Sequence, residues 1–181
     1  MIKIDYSFCI QLIIYVCCTI ICKEAQSQAV LQDTLIPYQY IKQADSLKGE
    51  LKYKEAISAY KKAIDYYKIK NNKNKLAASY ISLAKCHLAD GNYKKCFEYA
   101  NYTLGICDTN TKEEADAHYL IGLYYSINNE NPSKALEFYK KSLTIREHIF
   151  PKYHADIAKS LYQIGYIYTC LLYTSPSPRD A

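Results

Sequence analysis

The chain has no tryptophan, one methionine, and only five glycines and five prolines in 181 residues. So few turn-forming residues argue against an all-β protein, which needs a turn roughly every 8–12 residues. There is no glycine-rich phosphate loop and no G-x-S-x-G elbow, and Ser58, Ser79 and Ser160 fall inside helical periods. The four histidines, His87, His118, His148 and His154, are scattered and never take the H-E-x-x-H spacing of a helical zinc site. Cys86, Cys96 and Cys107 stand too far apart for paired C-x-x-C ligands. These absences predict a chain with no catalytic group, no cofactor and no metal. No apolar run reaches the ~20 residues that a spanning helix needs.

What is present is tyrosine, lysine and repetition. The 21 tyrosines accompany many Lys, Asn and Ile, all with A/T-rich codons, so genome composition accounts for them without a tyrosine-specific role. The net charge is a mild +5. Eight lysines between Lys52 and Lys75 form its densest part, but they fall on polar helix faces and in an Asn-rich turn. That places them on a solvated surface and predicts no nucleic-acid partner. Half of the residues are hydrophobic, enough for one continuous core.

A small-residue pattern returns about every forty positions. Ala56, Tyr60 and Ala63 open it, Cys96, Ala100 and Thr103 repeat it, and Ala135, Tyr139 and Ser142 repeat it again. Self-similarity at such a period marks a stacked-repeat protein, where each unit buries its apolar face on its neighbours. Between these markers the apolar spacing is three and four, which gathers them on one face of a helix. The spacing predicts helices over Tyr53–Lys68, Leu76–Ala89, Tyr93–Cys107, Ala115–Ile127 and Pro132–Ile149. Gly91-Asn92 and Asn128 to Pro132 are turn signals, and Pro132 suits a first helical turn. Glu113, Glu114 and Asp116 form a carboxylate cluster that a helix N-terminus favours.

These residues resemble the tetratricopeptide repeat family. Tyr80, Leu83, Ala84 and His87 supply one helix A, His118, Ile121, Gly122 and Tyr125 a second, and Leu161, Ile164, Gly165 and Tyr168 a third. Tyr40, Ala44 and Leu47 precede them, and the small-residue triplets supply the B helices. The resemblance implies an all-α, right-handed α-solenoid of antiparallel helix pairs. It covers residues 37–169 as repeats at about 37–70, 75–108 and 112–149, with a partial fourth at 153–169. The longer period resembles the kinesin-light-chain-like variety. Ala84, Gly122 and Gly165 are expected to let helices A and B approach, with Tyr40, Tyr60, Tyr125 and Tyr139 filling the gaps beside them.

The resemblance also implies a protein or peptide partner on the concave face. Its ligand positions fall here on Tyr38, Ile41, Asp45 and Lys48, then Ala78, Ile81, Lys85 and Leu88. Asp116, Tyr119, Leu123 and Ser126 follow, and then Lys159, Tyr162, Tyr166 and Thr169. The family's chaperone-tail clamp needs Lys and Asn where Ile41 and Asp45 stand, which disfavours that ligand class.

The ends read differently from the middle. Met1–Ala29 reads as a signal peptide, with the 15-residue apolar run Phe8–Cys22 and small residues at Ser27 and Ala29; an uncleaved anchor is the alternative. Export would place the domain in the periplasm, or on the membrane facing it. Residues 170–181 read as a non-native tail, because Cys170 to Asp180 match a translated sequencing adapter. The chain is then the N-terminal piece of a larger bacterial protein. The leading reading is an interaction scaffold; the alternative, by family analogy, is that the missing part is a caspase-like peptidase of the CHAT type or a sensor histidine kinase, which this region would regulate. Leu161, Ile164 and Ile167 are expected to lack a covering helix, so that residues 30–169 self-associate.

Overall fold

The computed structural model describes residues 15, 19, 23–24, 35–128 and 131–174. The expected export segment therefore lies almost wholly outside the described residues. Helix α1 covers 35–49. Helices α2 (Tyr53–Ile69), α3 (Lys73–Ala89), α4 (Tyr93–Leu104), α5 (Lys112–Ile127), α6 (Pro132–Ile149) and α7 (Ala155–Thr174) follow. There is no strand among the described residues. Successive helices from α2 to α7 pack on one another, and the one substantial contact that skips a helix joins α3 to α5. The even-numbered helices make no comparable contact.

Local chemistry explains where each helix begins. Asn72, Asn92, Thr111 and Asn131 each accept a backbone N–H three residues on, from Lys75, Lys95, Glu114 and Lys134. Such a cap is worth ~1 kcal/mol. It starts α3 at Lys73 and α5 at Lys112, each three residues before the first apolar position that periodicity detects. Helix α4 stops at Leu104, short of the predicted Cys107, because Gly105 and Ile106 turn their N–H groups back to Tyr102 and Thr103. The turns after α1, α2 and α3 share one form. A left-handed residue (Leu51, Asn71 or Gly91) precedes a residue whose N–H returns to the helix, to Leu47, Tyr67 and His87 respectively.

All nine residues of the recurring triplets are at most 1% exposed. Their burial runs through the stack in three overlapping clusters rather than one central core. Gly122 allows the closest approach: a Cβ there would stand 2.8 Å from two ring carbons of Tyr139. At Gly165, by contrast, an added Cβ meets nothing within 4 Å. The expected close packing there is absent among the described residues. The expectation for α7 also needs correction at Ile167, which is 3% exposed because it packs with Ala135 and Tyr139. Leu161 is open as expected, at 51%. The helix runs on through Thr174, past the expected fold boundary at 169, since nothing from Cys170 to Thr174 breaks a helix before Pro176.

Buried ionisable groups serve packing. Burial pushes the Cys96 thiol up to about 12 and raises Cys86 and Cys107 as well, so all three stay protonated and poorly nucleophilic. Burial also holds His87 and His118 below the ordinary histidine value; nearby Lys95 adds to this for His87, while Glu114 only partly opposes it for His118. The folded state therefore binds fewer protons than the unfolded chain once pH falls below ~6.5. Their contribution to stability is complete above that value and is lost as pH drops toward the folded values. The urea midpoint is expected to be lower at about pH 5.5 than at about pH 7.5. Replacing His87 by Phe, which keeps a ring against Tyr99, should shrink that difference. An unchanged difference would remove His87 as a cause.

Candidate interaction face

The candidate inner face consists of the register positions on the odd-numbered helices α1, α3, α5 and α7. At its N-terminal end a cleft of about 240 Å³ opens between α1 and α3. Tyr38, Ile41 and Ala78, from the register positions, form part of its wall, and Tyr67, Lys75, Ser79 and Ser82 complete it. Tyr38 is 59% exposed and Ile41 half-buried, so apolar surface is accessible to a ligand. Ser79 donates its hydroxyl to the Lys75 carbonyl at 2.8 Å. Register alone does not reveal Tyr67, which reaches the cleft from the end of α2. Its position as the last apolar member of the α2 stripe is the signal that could have found it.

Further along, the face turns polar. Asp45 is exposed and accepts the Tyr60 hydroxyl, and Lys48 sits half-buried 3.8 Å from it. Ile81 is 4% exposed within the α3–α5 core and offers almost no surface. Lys85 is not the isolated cation that its position suggests: its Nζ lies 2.6 Å from Asp116 Oδ2. Asp116 itself is 4% exposed, unlike its neighbours in the carboxylate cluster, because Arg146 Nη2 donates to its other oxygen at 2.7 Å.

Arg146 is the residue that the sequence reading missed. It lies on α6, is 2% exposed, and donates from Nη1 to the Asp156 carbonyl at 2.9 Å and to Ser160 Oγ at 2.8 Å. Its guanidinium stands 4.7 Å from the centre of the Tyr119 ring. One side chain thus ties α5, α6 and α7 together beneath the inner face. An arginine within an Ile-Arg-Glu run on an amphipathic helix carries no periodic signal of burial, so only Asp116 and Ser160 on the neighbouring helices could have hinted at it.

Towards the C-terminal end, Leu123 and Tyr119 are half-buried in apolar packing. Tyr162 and Tyr166 are 71% and 52% exposed, beside Lys159, which is held 2.9 Å from Asp156. Among the described residues of this face, the accessible apolar areas are the Tyr38–Ile41 cleft and the Tyr162–Tyr166 pair. The Lys85–Asp116–Arg146 network lies between them. No described helix is long and apolar enough to cross a membrane.

No protein-family model and no curated protein matches the chain. Solved structures do match. A Podosopora anserina protein with nearly identical, kinesin-light-chain TPR-like repeats superposes at TM-score 0.63 and 14% identity, over 74% of this chain and 66% of that one. BtubC (BKLC) from P. vanneervenii superposes at TM-score 0.65 and 16% identity, over 77% and 57% of the two chains. The Sgt2 TPR domain from Aspergillus fumigatus gives 0.60 and 15%, over 78% and 85%. The chain thus spans less than two thirds of the first two. The fold is that of the tetratricopeptide repeat proteins.

Proposed function

We propose that this protein is a non-catalytic interaction scaffold that holds a peptide or protein segment along the inner face of its helix stack. The observation that carries this reading is the apolar-walled cleft at Tyr38, Ile41 and Ala78, on the face that carries the register positions of the odd-numbered helices. A cleft of about 240 Å³ suits one large apolar side chain more than a whole small molecule, whose pockets run roughly 300–1,000 Å³. Tyr162 and Tyr166 supply rigid aromatic contact area at low entropic cost further along the same groove. The signal read in residues 1–29 would present this face outside the cytoplasm, within a larger exported protein.

The test uses peptides selected from a random displayed library against the full chain, with affinity measured by calorimetry. Ile41→Asp is expected to weaken selected peptides about tenfold or more, equal to ~1.4 kcal/mol, because it puts a charge into an apolar cleft. Tyr153→Ala, at a residue 93% exposed outside the groove, should leave them unchanged. Peptides that bind Ile41→Asp as tightly as the parent would contradict the assignment.

A further inference from the structure

The acid-free part of the lysine-rich run is gathered by the fold at one tip. No Asp or Glu stands between Asp65 and Asp90, while Lys68, Lys70, Lys73 and Lys75 crowd the turn from α2 to α3. Every residue from Lys68 to Lys75 is exposed. Backbone bonds fix the frame: the N–H groups of Lys70, Asn71 and Asn72 return to the carbonyls of Tyr66, Lys68 and Tyr67, each at 3.1 Å. Asn71 takes the left-handed conformation at φ 51°, and the Asn72 side chain accepts the Lys75 N–H at 3.1 Å. The turn is thus held as a fixed protrusion that carries four long cationic side chains.

Charge at this tip is not neutralised within the chain. Lys52, Lys85, Lys141 and Lys159 each lie 2.6–2.9 Å from a carboxylate, whereas Lys68, Lys73 and Lys75 make no ion pair among the described residues. Like charges this close in sequence build a local positive potential, which an anionic surface relieves. Amid these lysines stands Ile69, 82% exposed, more than any other large aliphatic side chain among the described residues. Aromatic rings lie behind it. Lys70 Nζ stands 5.8 Å from the centre of the Tyr66 ring, and Lys68 Nζ 5.8 Å from that of Tyr80. Tyr102, 49% exposed, packs 4.6 Å from Tyr80.

We propose that the α2–α3 tip docks the protein on an anionic lipid surface. Ile69 enters the headgroup layer, and Lys68, Lys70, Lys73 and Lys75 bind lipid phosphates around it. Lysine stems are long enough to keep the ammonium among the headgroups while an apolar neighbour goes deeper. Each lysine near such a surface raises partitioning about fivefold, and Ile69 adds the gain from leaving water. The isoleucine decides the class of partner. A polymer of phosphates would reward the lysines and gain nothing from an apolar residue among them, whereas a lipid layer rewards both. A protruding turn also suits a yielding lipid layer more than a protein partner, which would have to supply a matching hollow.

The test is sedimentation of the full chain with mixed phosphatidylcholine–phosphatidylglycerol vesicles and with phosphatidylcholine vesicles. Any pull of the apolar run Phe8–Cys22 is shared by both, so the ratio of the two partition coefficients reports the tip. That ratio is expected to be on the order of 100 at low salt and to fall towards unity in about 1 M salt. Replacing Lys68, Lys70 and Lys73 together by Gln should cut it about tenfold or more. The same change at Lys94, Lys95 and Lys152, also exposed, should alter it less than about threefold. Ile69→Ser, at a site too exposed to matter for folding, should weaken binding to the anionic vesicles about fivefold. Amide exchange across 68–75 should slow on the anionic vesicles and not on the neutral ones. A parent ratio near unity, or unaltered exchange across 68–75, overturns the proposal. So does an equal loss in the two lysine triples, which would mean that net charge alone acts. Unchanged binding by Ile69→Ser overturns it too, and points to an acidic polymer on a purely electrostatic patch.

Discussion

Arg146→Ala is expected to destabilise the fold by about 3–5 kcal/mol, the range for leaving one member of a buried ion pair without its partner. The substitution strands Asp116, 4% exposed, with only the half-exposed Lys85 as counter-charge. It also removes the hydrogen bonds to the Asp156 carbonyl and Ser160 Oγ, and the contact with the Tyr119 ring. Loss should concentrate at the α5–α7 junction, so amide exchange in α7 is expected to rise more than in α2 or α3. Removing both charges together, Asp116→Leu with Arg146→Met, leaves no orphaned ion and should return stability to within about 1 kcal/mol of the parent. Lys85→Ala should cost ~1 kcal/mol or less, since its side chain is 41% exposed and water can replace it. Urea denaturation of the four proteins checks the set. A loss below ~1 kcal/mol for Arg146→Ala would show that water reaches Asp116 and that the network is not the pin described here.

Two glycines in the same repeat position are expected to respond with opposite signs. Gly122→Ala places a methyl group 2.8 Å from ring carbons of Tyr139, a side chain that is 0% exposed and cannot swing away. Overpacking of this kind costs ~1–3 kcal/mol, which exceeds the helix-propensity gain of ~1 kcal/mol from replacing glycine. Gly165→Ala meets nothing within 4 Å, so only the propensity gain operates and stability should rise by about 0.5–1 kcal/mol. Thermal midpoints measured side by side decide it. A stabilising Gly122→Ala would mean that α6 can move off α5 at little cost.

The fold was legible because its packing code is local and periodic. Small residues at Ala56, Cys96 and Ala135 recur at nearly equal intervals, and each is at most 1% exposed. Helix ends were less legible, since Asn72 and Thr111 start helices through single side-chain bonds that leave no trace in apolar spacing. The inner face was legible as a set of positions but not as a surface. Register gives direction from the helix axis, and it cannot say that a neighbour covers Ile81 or that Arg146 reaches Asp116 from another helix. Tyr38 and Ile41 stand at register positions that the first odd-numbered helix leaves accessible. The Lys85–Asp116 pair, separated by 31 residues, depends on the two helices meeting and lies beyond any local pattern.

The central claim is that a ligand lies along the inner face, with an apolar anchor in the cleft between α1 and α3. Amide and methyl shift mapping by NMR, with a library-selected peptide added to the full chain, tests it most directly. The account predicts that the largest shifts fall at Tyr38, Ile41, Ala78 and Ser82, with smaller ones at Lys85 and Tyr162, and that residues on the outer sides of α2, α4 and α6 stay still. Shifts centred on the even-numbered helices, with the cleft residues unmoved, would contradict it.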